Sequence, residues 1–227
     1  MRDNWQNLYD LIVRPSATFA RLKSRPRWVL AFVLYFFIGI GLLWTIAPFT
    51  VQLINNNQVA KGLTHEDQSI KVATFESYLA RGGFVLVLWS IFLSFLLLFA
   101  ARVFKVNRTL KFKHIYSGVV HFSLISTIVY FINAGILPLF RRVEDMQEAV
   151  DLKIIPGLHL LAGPIDNPHL LTFLSHINPL NAWYVFVIVI TVSVMAEVNR
   201  IKACCVALII FLMRIGAEIA FLATSLD

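Results

Sequence analysis

Residues 179–224 decide the fold, and they read PLNAWYVFVIVITVSVMAEVNRIKACCVALIIFLMRIGAEIAFLAT. Two apolar runs, Pro179–Val198 and Ala203–Thr224, flank a short turn that carries Arg200 and Lys202. Each run reaches the roughly 20 residues that a helix needs to cross about 30 Å of hydrocarbon. Because lipid offers no hydrogen-bond partner to an open backbone, each run must be helical. The stretch therefore predicts two transmembrane helices joined by a tight basic turn.

Three further runs of the same kind precede this pair, at Trp28–Val51, Gly83–Phe104 and Ile115–Leu139. The composition agrees: 58% of the 227 residues are hydrophobic, only 15% are charged, and the mean hydropathy is +0.73. A soluble domain of this length needs more polar surface. We therefore expect an all-α, polytopic integral membrane protein with five transmembrane helices, in which residues 28–227 form a single membrane domain.

The distribution of positive charge predicts the orientation. Residues 1–27 hold six Lys or Arg against two acids, and the link 105–114 holds four against none. Residues 140–177, which we call the outer loop, hold three against five. Lys and Arg are enriched in cytoplasmic loops. The amino terminus is therefore predicted to lie in the cytosol and the carboxyl terminus on the opposite side.

Residues 1–27 form a basic segment ahead of the first span. Trp5, Tyr9 and Ile12 recur at the spacing of one helix face, and Pro15 ends that pattern. This is typical of an amphipathic cytosolic helix lying on an anionic leaflet. The alternatives are a plain anchor for the first span and a docking surface for a protein partner. The candidate membrane-surface or partner-binding segment comprises Trp5, Tyr9, Phe19, Arg21, Lys23, Arg25, Arg27 and Trp28.

Polar residues inside the spans are the other candidates for function. An Arg at the centre of a bilayer costs about 2.5–3.5 kcal/mol on insertion scales, so Arg214 should face protein or water. Glu218 follows it by one helical turn and can reach it. Either this pair is structural, or it forms a site for an ion, a lipid headgroup or a proton. The candidate intramembrane polar site comprises Arg214, Glu218, Asn133, His121 and Thr127.

Motifs of catalysis and metal binding are absent from the sequence. There is no Gly-rich phosphate loop, GxSxG nucleophile elbow or HExxH zinc motif. The outer-loop histidines, His159, His169 and His176, have spacings that match no compact ligand motif and are expected to be solvated. We predict no catalytic residue, no metal, no cofactor and no nucleic-acid partner.

Three stretches carry a family resemblance: RPSATFARLKSRPRW at 14–28, FKVNRTLKFKHIYSGVVHFS at 104–123 and INPLNAWYVFVIVITVSVMAEVNRIKACCVALIIF at 177–211. In this order they resemble the Yip domain family, the Ypt/Rab-GTPase-interacting proteins, and in particular its short prokaryote-like members. The resemblance implies a five-helix membrane bundle with a cytosolic amino terminus and no catalytic residue. Eukaryotic members are tied to Rab GTPases and to vesicle traffic between endoplasmic reticulum and Golgi. Those members have a long cytosolic region with a DLYGP-like motif, and nothing in this chain matches that motif.

The resemblance implies a non-enzymatic protein of membrane organisation or trafficking, acting as a scaffold or binding partners at the cytosolic face. The membrane would be the inner one of a prokaryote or that of the endoplasmic reticulum and Golgi of a eukaryote. The alternative is a small transporter or channel for an ion, a proton or a lipid that uses Arg214 and Glu218. Small-residue faces on the last span also make a homo-oligomer an expectation.

Overall fold

The computed structural model describes residues 2–60, 75–104, 110–146, 149–162, 165 and 167–226. Residues 105–109 of the basic link therefore lie outside the described part of the chain. The long elements are helical, and we number the α-helices in chain order: α1 Arg2–Val13, α2 Pro15–Ser24, α3 Val29–Ala60, α4 Phe75–Val103, α5 Phe112–Tyr130, α6 Pro168–Ser175, α7 Pro179–Ala196 and α8 Arg200–Leu226. A π-helical turn, Phe131–Gly135, extends α5, and short 3-10 turns follow at Leu137–Leu139, Val143–Asp145, Ala149–Leu152 and Leu158–Leu161.

The five predicted membrane-spanning helices are confirmed. Within the described residues, the helices long and apolar enough to cross a membrane cover Val29–Ile54, Leu79–Val103, Phe112–Leu139, Pro179–Ala196 and Arg200–Ala220. Their exposed apolar faces fit lipid as the solvent. On α4, for example, Leu88, Phe92, Phe95 and Phe99 are all exposed and recur at helical spacing.

Most span boundaries differ from the prediction by a few residues, and two of these differences have a local reason. Helix α3 continues past Val51 to Ala60. Within this extension, the side-chain amide of Gln52 donates a hydrogen bond of 2.9 Å to Oδ1 of Asn56, which lies one helical turn later and stabilises the helix there. Helix α7 ends at Ala196, before the predicted end at Val198, because Glu197 adopts a left-handed backbone conformation with φ of 54°. Such a residue commonly terminates a helix.

The chain divides into two compact units. The first comprises Met1–Gly39, Val85–Ile128 and Ala182–Leu212, and the second comprises Ile40–Phe84, Val129–Asn181 and Met213–Asp227. The single membrane domain expected for residues 28–227 stays a prediction.

The first unit fixes the amino-terminal helices. Phe19 and Leu22 of α2 are fully buried, and Lys23 forms an ion pair with Glu197 in the turn between α7 and α8. At the start of α3, the Trp28 ring packs edge-on against Tyr116 of α5 with the ring centroids 5.3 Å apart. The segment predicted to be amphipathic is thus two helices, and the second of them is fixed to the rest of the first unit.

The second unit folds the outer loop against α3. Phe49, Leu53, Leu137 and Met146 form one buried apolar cluster. The Asn56 side chain donates a hydrogen bond of 2.6 Å to the carbonyl of Met146. Apolar burial and this bond together place the loop so that its polar residues reach the last helix.

Candidate functional site

In the second unit, two titratable side chains of the outer loop contact Glu218 of α8. Lys153 Nζ lies 3.2 Å from Glu218 Oε1, and His176 Nε2 lies 2.9 Å from Glu218 Oε2. Lys153 also donates to the Ser175 hydroxyl at 2.7 Å. We call Lys153, His176 and Glu218 the Lys–His–Glu cluster. It joins two parts of the outer loop to the last transmembrane helix.

Backbone hydrogen bonds bring the two loop residues together. The Ile154 N–H donates to the carbonyl of Asn133 at 3.1 Å, and the Leu158 N–H donates to the carbonyl of Ile177 at 3.0 Å. Between them, Gly157 passes so close to α6 that a Cβ at this position would lie 2.4 Å from the Ser175 carbonyl oxygen. Only glycine permits this approach, which sets Lys153 beside His176.

The motif INPLN at 177–181 holds His176 from the other side. Asn178 precedes α7, and its Oδ1 accepts the N–H of Asn181 at 2.9 Å, which is a helix N-cap. Pro179 then occupies the first helical position, where its missing N–H costs nothing. The Asn181 side chain donates to the carbonyl of His176 at 2.8 Å. A helix-capping sequence therefore also orients the histidine.

The cluster is largely withdrawn from solvent. The exposed fraction of the side chain is 13% for Lys153, 3% for His176 and 29% for Glu218. Burial lowers the pKa of the Lys153 amine, the Glu218 carboxylate opposes that change, and the charge of Arg214 adds to it. Such a desolvated set of opposite charges is stable only while all its members are present.

The two ring nitrogens of His176 contact different partners. Its Nδ1 lies 2.8 Å from the carbonyl of Thr172, and its Nε2 lies 2.9 Å from Glu218. Lys153 Nζ also lies 3.1 Å from Nδ1 and 3.3 Å from Nε2, and an ammonium only donates. His176 is therefore shared between Lys153, Glu218 and the backbone of α6.

The predicted intramembrane residues fall in different units. Arg214 and Glu218 lie one turn apart on α8 in the second unit, which also contains Asn133 in the π-helical turn. His121 and Thr127 belong to the first unit, where both are buried and hydrogen-bond to backbone carbonyls one turn earlier in α5. Their assignment to a shared site stays a prediction.

Asn133 is one of three described residues with a buried side-chain polar atom that lacks a hydrogen-bond partner. Its backbone carbonyl accepts the N–H of Ile154, whereas its side-chain Oδ1 is buried and has no hydrogen-bond partner among the described residues. Single π-helical turns inside α-helices often occur at functional sites. Here the turn aims a backbone carbonyl at the outer loop, and it is therefore part of what positions Lys153.

Sequence reasoning missed Lys153, Ser175 and His176. The expectation that His176 is solvated is wrong, because its side chain is almost completely buried against Glu218. His169 is exposed as expected, and burial lowers the pKa of His159, with a further contribution from the charge of Lys153. The one signal in the sequence was the position of His176 directly before a helix-capping motif. Among the described residues, no group of three His, Cys, Asp or Glu side chains could hold a metal ion.

The predicted surface segment contains both exposed and buried residues. Tyr9 is 68% exposed, and Ile12 and Val13 beside it are also exposed. Phe19 is fully buried and therefore cannot contact a membrane or a partner. The side chain of Trp5 lies outside the described part of the chain. Arg21, Arg25 and Trp28 are exposed, whereas Lys23 and Arg27 are half-buried.

Comparison with known proteins matches most of the chain to one family model. The model describes the Yip1 domain, and it covers residues 9–220. No curated protein and no solved structure matches this chain.

Proposed function

This chain belongs to the Yip1 domain family, and from that premise we propose that it is a non-enzymatic scaffold that organises the membrane in which it is embedded. Its amino-terminal helices α1 and α2 bind the anionic cytosolic leaflet, and its spans set their position. It is a multi-pass membrane protein, and the proposed role is mechanical rather than catalytic.

The observation that carries the proposal is the different exposure of α1 and α2. Phe19 and Leu22 of α2 are buried in the first unit and fix the pair. Tyr9, Ile12 and Val13 of α1, which we call the apolar patch, remain exposed on neighbouring turns. Exposed apolar residues flanked by Arg14 and Arg21 suit the boundary between headgroups and acyl chains.

The experiment is site-specific photo-cross-linking in the native membrane. A photoreactive residue at position 12 is expected to yield mainly lipid adducts, as is the same residue at position 99, which lies on the exposed apolar face of α4. Position 144, an exposed acid in the outer loop, serves as the control without lipid contact. Protein adducts at position 12 in place of lipid adducts would favour a docking surface for a protein partner over a leaflet contact.

A second candidate function, transport of an ion or a proton, is favoured by the Lys–His–Glu cluster. Glu218 lies in a membrane-spanning helix and is bonded to two titratable side chains. Intramembrane ionisable residues commonly mark ion or proton pathways. The test is proton or ion flux into liposomes that contain the wild-type protein or Glu218→Gln. Flux above that of protein-free liposomes, and its loss in the variant, would establish transport and overturn the purely structural role of the cluster.

A further inference from the structure

A groove of about 410 Å³ lies beside α1 and the end of α2. Its volume falls within the range of small-molecule sites. Every one of its described lining residues carries N–H or O–H donors, and none of them is acidic. The lining residues are Gln6, Asn7, Arg21, Ser24, Arg25 and Arg27. A concave surface of this composition is suited to an anion that accepts several hydrogen bonds.

The groove is a fixed structure rather than a loose basic tail. The Arg21 guanidinium of α2 bonds to the carboxylate of Asp10 in α1, and this ion pair links the two helices. The same guanidinium also donates to the Thr18 hydroxyl of its own helix at 3.4 Å. The Ser24 hydroxyl donates to the carbonyl of Arg21 at 2.9 Å. Asn7, which lines the groove, is itself buried. The donors are therefore largely pre-positioned, which lowers the entropy lost on binding.

The sequence Arg25-Pro26-Arg27 explains how two guanidinium groups reach one groove. A residue that precedes proline is disfavoured in the helical conformation. Arg25 has φ of −134° and ψ of 86°, and α2 ends just before it. The chain thus leaves the helix before the two arginines, and both of them line the groove.

We propose that this groove binds the phosphate group of an anionic phospholipid headgroup, an inference that rests on the proposed leaflet contact of α1 and α2. Guanidinium groups bind phosphate oxygens in a bidentate manner, and the side-chain amides of Gln6 and Asn7 supply further donors. The position along the chain favours lipid as the source of the phosphate. Arg27 directly precedes Trp28, and indole rings at the start of a span lie at the level of the headgroups.

The test is lipid binding by the full-length protein, measured by native mass spectrometry from detergent solution. The probes are phosphatidic acid, phosphatidylcholine and inorganic phosphate. The variant is Arg25→Gln with Arg27→Gln, and the matched control is Lys113→Gln with Arg200→Gln, which removes the same charge from exposed residues that do not line the groove. Thermal unfolding verifies that each variant is folded, and Arg25→Gln alone serves if the double variant is not.

The proposal predicts that phosphatidic acid binds in preference to phosphatidylcholine. Affinity should fall at least about tenfold in the groove variant, because charge-assisted bonds are lost, and change less than about twofold in the control. Equal losses in both double variants would overturn the proposal, since diffuse attraction alone would then explain binding. Displacement of the lipid by an equal concentration of inorganic phosphate would overturn the assignment to a lipid.

The two proposals fail in different ways. If position 12 gives no lipid adducts, the leaflet contact itself is wrong. If position 12 gives lipid adducts but the groove variant binds phosphatidic acid as the wild type does, only the phosphate site is wrong.

Discussion

Lys153 Nζ lies 3.2 Å from Glu218 Oε1, although Lys153 belongs to the outer loop and Glu218 to the last transmembrane helix. The contact places a loop cation on a carboxylate that lies in a membrane span. His176 approaches the other oxygen of the same carboxylate. We infer that the Lys–His–Glu cluster fastens the outer loop to α8.

Lys153→Met should destabilise the protein, and Glu218→Gln should recover part of the loss when added to it. Removing one partner of a buried ion pair costs about 3–5 kcal/mol when burial is complete and the other charge has no further partner. Glu218 keeps its contact with His176 in this variant. Because Glu218 is 29% exposed, we expect about 2 kcal/mol. The free energy of unfolding is measured in detergent, and a double-mutant cycle gives the coupling energy.

The control for that cycle is Asp151→Asn, which breaks the more exposed Arg141–Asp151 pair of the same loop. Exposed pairs contribute about 0–1 kcal/mol. If Asp151→Asn proves as costly as Lys153→Met, or if the cycle is additive, the cluster is not a coupled unit.

Gly157→Ala should displace the part of the outer loop that carries Lys153. A Cβ at this position meets the backbone of Ser175 at 2.4–2.7 Å, and backbone atoms cannot move aside as a side chain can. We expect a loss of about 1–3 kcal/mol in stability, in line with other overpacking substitutions. Gly216→Ala is the matched control, because a Cβ at position 216 would meet no neighbouring side chain within 4 Å. Equal effects of the two substitutions on thermal unfolding would contradict the close approach.

Acidification should destabilise the folded protein through His159. Burial lowers the pKa of this side chain from the ordinary value of 6.5. The unfolded chain therefore takes up a proton first as the pH falls below 6.5, and stability falls until the pH passes the folded-state pKa. His159→Gln removes this contribution, so its stability relative to wild type should rise as the pH is lowered. A difference in melting temperature that is constant with pH would exclude His159 as the cause.

Phe19→Ala should lower the free energy of unfolding much more than Ile12→Ser, because Phe19 is buried in the helix pair α1–α2 and Ile12 lies on its surface. Phe19 is fully buried, so its truncation should cost about 3–5 kcal/mol. Ile12 is exposed, and its replacement should change stability in detergent by less than about 0.5 kcal/mol. Both values come from thermal unfolding of the full chain. A large loss for Ile12→Ser would mean that the apolar patch packs within the protein.

The five spans could be predicted because their signal is local. Apolar length alone identifies a span, and the break at Pro15 alone separates α1 from α2. The cluster could not be predicted, because the outer loop consists of short turns without a periodic pattern. The spacing on α8 predicts Arg214 as a neighbour of Glu218, but it does not indicate the loop residues that lie within 3.2 Å of both carboxylate oxygens. Which loop residue reaches a helix depends on the folded path of the whole loop.

The same reasoning explains the mixed outcome for the amino-terminal segment. Helical spacing identifies which residues share a face, but not which face meets the protein. Among the α1 side chains that the structure describes, those of residues 6–13, Asn7 and Leu11 are buried, whereas Tyr9 and Ile12 of the predicted apolar face are exposed. Packing against neighbouring helices makes that choice, and the sequence of α1 alone does not contain it.

The most direct test of the proposed leaflet contact is the depth of residue 12 in the bilayer. A nitroxide spin label is placed at position 12 of a chain in which the exposed Cys204 and Cys205 are replaced by Ala. Its collision rates with oxygen and with a water-soluble nickel chelate then report the depth in vesicles that contain anionic lipid. We predict a label below the phosphate level, reached by oxygen in preference to nickel. A label as accessible to nickel as one at position 144 would contradict the leaflet contact.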